Sequence, residues 1–199
     1  ADFTPLWYRN IPKWSLLVSS LALVFIVAIF FILKPSEADN SKISIVNSEE
    51  IQNYIEGDSL LLDKLNEFKD DLVKSVQELI RIKSVKSEPK PGMPFGEGTN
   101  QALEYMLDLS EKLGFKTKNV DGYAGHAEYG EGEDIVGVLV HLDVVPEGTG
   151  WTYPPYGGEI HSGKIYGRGA IDDKGPAAAA LYALKALKES GAEMKRRVR

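Results

Sequence analysis

The sequence contains no cysteine. That absence removes disulfides, thiolate zinc sites, a cysteine nucleophile and a lipid-modified N-terminal cysteine, and it leaves the redox compartment open. Histidine is nearly as scarce, so imidazole chemistry can fall only on His126, His141 and His161. Positive charge is short as well. The net charge is −6, and Asp2 against Arg9, Lys13 and Lys34 leaves +2 on the first 34 residues and −8 on the rest. Such an acidic domain does not suit nucleic acid as a partner. Neither a Gly-x-Ser-x-Gly elbow nor a His-Glu-x-x-His pair occurs, so a lipase-type serine nucleophile and a zincin helix have no support. Gly130-Glu-Gly-Glu precedes an apolar run instead of following one, which makes it a turn and not a dinucleotide fingerprint.

What is present begins with a long apolar run. Trp14 to Leu33 is 20 residues without charge, interrupted only by Ser15, Ser19 and Ser20. As a helix it would be about 30 Å long, enough to span a bilayer. Ser36-Glu37-Ala38 has the small-x-small pattern of a cleavage site, but the apolar run exceeds the roughly 7 to 15 residues of a signal peptide, so an uncleaved anchor is expected. Arg9 and Lys13 on one side balance Lys34 and Lys42 on the other, so the side occupied by the domain stays open. The expected organisation is an N-terminal flank at 1–13, a transmembrane helix at 14–33, a polar linker at 34–58 and a globular part at 59–199. The protein would thus be single-pass in a membrane.

In the globular part, Leu61, Leu65, Phe68, Leu72, Val76 and Leu79 recur at spacings of three and four, the pattern of one long amphipathic helix. Residues 83–98 hold Pro89, Pro91, Pro94, Gly92, Gly96 and Gly98 and read as a loop. A second helix is expected from Thr99, with its apolar face on Leu103, Met106, Leu107, Leu109 and Leu113, closed by Gly114. Phe115–Val120, Tyr123–Tyr129 and Ile135–Val140 read as strands. An alanine-rich helix with Pro176 at its first position ends near Gly191. Together these indicate an α/β layer.

The chemistry concentrates between His141 and Gly175. His141 follows the β-branched run 135–140, where a buried strand would end and where α/β sheets keep their sites. Asp143 lies two residues on, on the same side of an extended backbone, and can accept the second imidazole N–H. Asp172, in Gly167-Arg-Gly-Ala-Ile-Asp-Asp-Lys-Gly, would project from a strand-to-helix corner. A neutral imidazole and carboxylates at adjacent strand ends can hold zinc or a similar divalent ion, and a carboxylate can bridge two. His126 in a strand and His161 in a turn read as structural or exposed residues.

His141-Leu-Asp143-Val-Val-Pro146, Gly150-Trp151, Gly167 through Asp172-Asp173-Lys-Gly-Pro176, and the approach Glu78-Leu-Ile-Arg-Ile-Lys-Ser84 resemble the dinuclear zinc metallopeptidases. That family includes peptidase V-type dipeptidases, carnosinases, acetylornithine deacetylases and succinyl-diaminopimelate desuccinylases, and the likeness is greatest to peptidase V. It covers about residues 60–199. The resemblance implies the N-terminal part of a zinc-exopeptidase-like catalytic domain, with helices packed on a mixed β-sheet. It implies two divalent ions, zinc by preference, with His141 a ligand of one, Asp172 the bridging carboxylate, and Asp143 the catalytic-site residue that orients His141. A cis peptide between Asp172 and Asp173 is also implied.

The activity implied is hydrolysis of the amide bond of dipeptides in the intact protein. Deacylation of N-acyl amino acids, or a non-catalytic membrane-anchored binding module, are the alternatives. The family's glutamate base, remaining ligands and lid have no counterpart within these residues, so the chain is expected to be an inactive fragment truncated before the rest of the domain. Glu189 and Glu193 sit at a helix end and read as surface charges. Substrate preference and oligomeric state stay open.

Overall fold

The computed structural model describes residues 59–191 and 194–199. The flank, the expected transmembrane helix at 14–33, the linker and Glu193 lie outside the described residues. Among the described residues, no helix is long and apolar enough to cross a membrane.

The expected first helix is two. α1 runs Ser59–Glu67 and α2 runs Lys69–Arg81, separated at Phe68, whose φ of −90° and ψ of 0° leave the helical region. The apolar periodicity persists across this break, which is why the sequence reads as one helix. α2 carries Asp70 and Asp71 in its first turn and Arg81 in its last, as the helix dipole favours, and buries Val76, Leu79 and Ile80 on one face.

That face packs on α4, Lys174–Glu189. Eleven residues of α4 are buried, among them five alanines, Leu181, Tyr182, Leu184 and Leu187. A helix that is apolar nearly all round belongs in the middle of a domain, and its alanines let neighbours approach closely. Ser75 of α2 meets Tyr182 of α4 through their hydroxyls at 3.0 Å. Pro176 is the third residue of α4, not the first; the position still falls within the first turn, where backbone N–H groups have no intrahelical partner.

α3, Glu97–Lys112, starts two residues before Thr99 and lies over an antiparallel hairpin of β1, Lys116–Val120, and β2, Ala124–Glu128. β3, Ile135–Val136, pairs in parallel with β6, Arg197–Val198. β6 also exchanges hydrogen bonds with Tyr129, and Glu128 receives both Arg197 (3.1 Å) and Arg199 (2.8 Å). Val198 is thereby buried with Phe115, Leu184 and Leu187. β4, Glu159–His161, and β5, Lys164–Tyr166, form a third pair.

The fold is mixed α/β, as expected, but the single mixed sheet is not formed by the described residues: its strands stand as three separate pairs. The expected strand 135–140 shortens to two residues, and Leu139 is 98% exposed instead of buried. Beyond the bond from Val138 N–H to Arg199 O, no strand among the described residues pairs with 139–142, and Leu139 and Val140 stand exposed while Val138 and Leu142 pack on the core.

Candidate metal centre

Two loops build the site. The first leaves β3 and carries His141, Leu142, Asp143 and Val144. It is held by Ser84, a fully buried residue just beyond the end of α2. The Ser84 hydroxyl donates to the Leu142 carbonyl at 2.6 Å, and the Ser84 carbonyl accepts from the Val144 N–H at 3.0 Å. Asp143 lies between these two attachments, with a buried Val144 on one side and its own carboxylate outside.

The second loop leaves β5 and turns through Gly167, Arg168 and Gly169 into α4. Gly169 has φ +88°, and a Cβ on it would stand 2.9 Å from both Val144 Cγ1 and Lys174 Cδ, so only glycine fits between the loops. Lys174 is fully buried, and its ammonium donates to the Leu79 carbonyl at 2.8 Å and the Ile82 carbonyl at 2.6 Å. It thus caps the C-terminal end of α2, adding a second donor to the Leu79 carbonyl, which also accepts from the Ile82 N–H, and a donor to the Ile82 carbonyl beyond the helix. Burial pushes its pKa down to about 8. The peptide between Asp172 and Asp173 is cis, as the resemblance implies.

The loops meet at His141. Its Nε2 lies 2.9 Å from Asp172 Oδ1, while its Nδ1 lies 3.1 Å from the Asp143 carbonyl and 3.2 Å from Asp143 Oδ1. The His141 backbone N–H donates to Asp173 Oδ2 at 3.1 Å. The two adjacent aspartates therefore divide their work, one on the imidazole and one on the backbone behind it. The Asp172 side chain is 86% exposed and that of His141 50%, so the pair opens to solvent. Burial acts to lower the His141 pKa, but the hydrogen bonds to Asp172 and Asp143 outweigh it and hold the imidazole above its ordinary value. Both ring nitrogens face oxygen atoms, and an ion held between Nε2 and Asp172 would stand where a hydrogen bond joins them here.

These donors fit part of a metal shell. Tetrahedral zinc with bonds near 2.0–2.1 Å separates two ligand atoms by about 3.3 Å, so the pair need open by only a few tenths of an ångström. Pinning of Nδ1 by Asp143 matches the usual support of a ligating histidine. Among the described residues, however, no group of three or more histidine, aspartate or glutamate side chains gathers as a metal site. Glu189 is exposed and paired with Lys185 on the far end of α4, in keeping with its reading as a surface charge.

A second set of contacts ties the loops further out. Arg168 Nη2 donates to the carbonyls of Pro146 (3.4 Å) and Glu147 (3.0 Å), and its guanidinium lies 5.1 Å from the Trp151 ring centre. The Glu147 carboxylate takes hydrogen bonds from Lys83 at 2.7 Å and Tyr156 at 2.9 Å, which, with the Lys83 ammonium foremost, hold its pKa down to about 2. A cavity of about 340 Å³ opens here between Trp151, Tyr153, Tyr166 and Arg168. A larger apolar cavity of about 750 Å³ borders His141, with Leu103, Met106, Leu142 and Leu181 in its wall. His126 also lines it, inside β2. His161 stacks on Tyr153 at 3.7 Å and bonds Glu159 at 2.7 Å, a structural setting as expected.

Ser84, Asp173, Lys174 and Arg168 were not legible as site-building residues from the sequence. The Asp-Asp doublet was the available signal, and the structure divides it, with Asp172 at the imidazole and Asp173 at the His141 N–H.

Residues 137–199 match Peptidase family M20/M25/M40. The Bacillus subtilis (strain 168) protein named "Putative dipeptidase YtjP" is 57% identical over 133 residues, 66% of this chain and 29% of that protein. "Putative dipeptidase SSP1012" of Staphylococcus saprophyticus is 42% identical over 138 residues, 68% of this chain and again 29% of that protein. Among solved structures, human carnosine dipeptidase 1 superposes with a TM-score of 0.58 at 25% identity, over 70% of this chain and 32% of that one. The Saccharomyces cerevisiae di-peptidase Dug1p superposes with a TM-score of 0.55 at 21% identity, over 70% of this chain and 33% of that one, a likeness of fold. The chain spans less than a third of the length of these relatives.

Proposed function

We propose, since residues 137–199 match Peptidase family M20/M25/M40, that the whole protein hydrolyses the amide bond of dipeptides with the help of two divalent ions, zinc by preference. The observation that carries this reading is the approach of His141 Nε2 to Asp172 Oδ1 at 2.9 Å, in the open, from loops 31 residues apart. The relatives' names, which speak of dipeptidases, support the substrate class.

In this reading His141 is a ligand of one ion and Asp172 the carboxylate shared by both. Asp143 holds the imidazole by Nδ1 so that Nε2 stays aimed at the ion, and Asp173 fixes the backbone of the same residue. Bound divalent ions supply Lewis acidity toward the scissile carbonyl and a water of lowered pKa. Among the described residues no third histidine or carboxylate joins this pair, so in this reading the general base and the remaining ligands come from elsewhere in the whole protein. A helix at 14–33 would keep the domain at a membrane, on a side that its flanking charges do not decide.

The test is hydrolysis by the protein expressed from its intact frame, with dipeptides and N-acyl amino acids as substrates. Dipeptide cleavage that is lost with a chelator and in Asp172→Asn is expected. Chelator-resistant cleavage, or cleavage of N-acyl amino acids alone, contradicts the proposal.

A further inference from the structure

The segment that leaves α2, residues 79–84, touches both loops of the site. Its carbonyls at Leu79 and Ile82 hold the ammonium of Lys174, two residues beyond Asp172. Its last residue, Ser84, grips the other loop at two points that bracket Asp143, the Leu142 carbonyl and the Val144 N–H. Both Ser84 and Lys174 are completely buried, among only four buried polar or charged residues of the described chain. Neither side chain hydrogen-bonds the imidazole or the carboxylates. Buried polar groups are costly unless bonded, and here Ser84 bonds the His141 loop while Lys174 ties the Asp172 corner to the end of α2.

We infer that the exit of α2 is the template for the site, with Ser84 and Lys174 as positioning residues that hold the His141 loop and the Asp172 corner in register. The inference rests on the reading of His141 and Asp172 as metal ligands for its functional meaning, but not for its geometry. Without the Ser84 hydroxyl, the Leu142 carbonyl loses its partner and one of the two points bracketing Asp143 is released. The bond that reports docking of the loops is the one from the His141 N–H to Asp173 Oδ2, since it joins one loop to the other.

The experiment compares the full 199-residue chain with Ser84→Ala, Ser84→Thr and Ser110→Ala. Ser110 is the matched control: equally buried, its hydroxyl bonded at 2.7 Å to Met106 within α3, outside both loops. The readout is the water-exchange rate of the His141 amide by NMR, with thermal unfolding recorded for each protein. Exchange about tenfold faster in Ser84→Ala, and close to wild type in Ser84→Thr and Ser110→Ala, is expected for a local loss of docking. Equal acceleration in Ser84→Ala and Ser110→Ala would show a general loss of stability and overturn the inference. So would an unchanged rate in Ser84→Ala, or a fast one in a folded Ser84→Thr. Zinc chloride is then added to the wild type. If the His141 ring signals do not move while the exchange pattern holds, the metal reading fails and the template stands.

Discussion

His141 and Asp172, separated by 31 positions, meet at 2.9 Å between Nε2 and Oδ1. The contact is not a product of local sequence. It depends on a loop fastened to Ser84 and on a corner fastened through Lys174 to the end of α2, with Gly169 passing between them.

Asp143→Ala removes the carboxylate from Nδ1 but leaves the backbone carbonyl at 3.1 Å, so the ring keeps one partner. Loss of such support typically weakens metal binding 10- to 100-fold, and the remaining carbonyl places the expected loss at the low end, roughly tenfold. Zinc competition against a chelating dye measures it.

Glu147 should remain ionised in acid. Its folded pKa of about 2 lies below the ordinary 4.5, so its contribution to the folded state is complete above 4.5 and fades as the pH falls toward 2. A carbon-detected NMR titration of the carboxyl should show a midpoint near 2 in the wild type. In Lys83→Ala, which removes the foremost cause, the midpoint should move up toward 4.5. A wild-type midpoint already near 4.5 would mean that the Lys83–Glu147 contact does not persist in solution.

Gly169→Ala puts a side chain at φ +88° and a Cβ within 2.9 Å of Val144 and Lys174. Strain of this kind costs about 1 to 3 kcal/mol, and the clash adds to it. Urea unfolding should show a loss of about 2 kcal/mol or more.

Lys174→Met keeps most of the buried stem and deletes the ammonium. The partly buried Ile82 carbonyl then loses its side-chain donor, while Leu79 O still accepts from the Ile82 N–H. Loss of a hydrogen bond to a partly buried acceptor costs about 1 kcal/mol, and a fall of that order is expected in the same urea experiment.

Much of this was legible in the residues. The apolar stripes of α2 and α3, the hairpin around Asp121-Gly122, and the pairing of His141 with Asp143 follow from periodicity and from side chains two apart on an extended backbone. Three things were not. The break at Phe68 is invisible because the apolar spacing runs through it. The shortening of the strand at 135–140 reflects the absence of a neighbour, which local β-propensity does not encode. Ser84 and Lys174 look like an ordinary serine and a surface lysine, and only tertiary contact reveals that each is buried and bonded across the site. The assignment of metal ligands came from resemblance to a family, whereas the geometry adds the order in which the loops are held.

The most direct test of the central claim is a zinc titration of the purified chain by calorimetry, alongside His141→Ala and Asp172→Ala. Two donors make a partial shell, so the wild type should bind with modest affinity, and each substitution should weaken binding at least tenfold. Binding that is unchanged in both variants would contradict the assignment of His141 and Asp172 as the metal-holding pair.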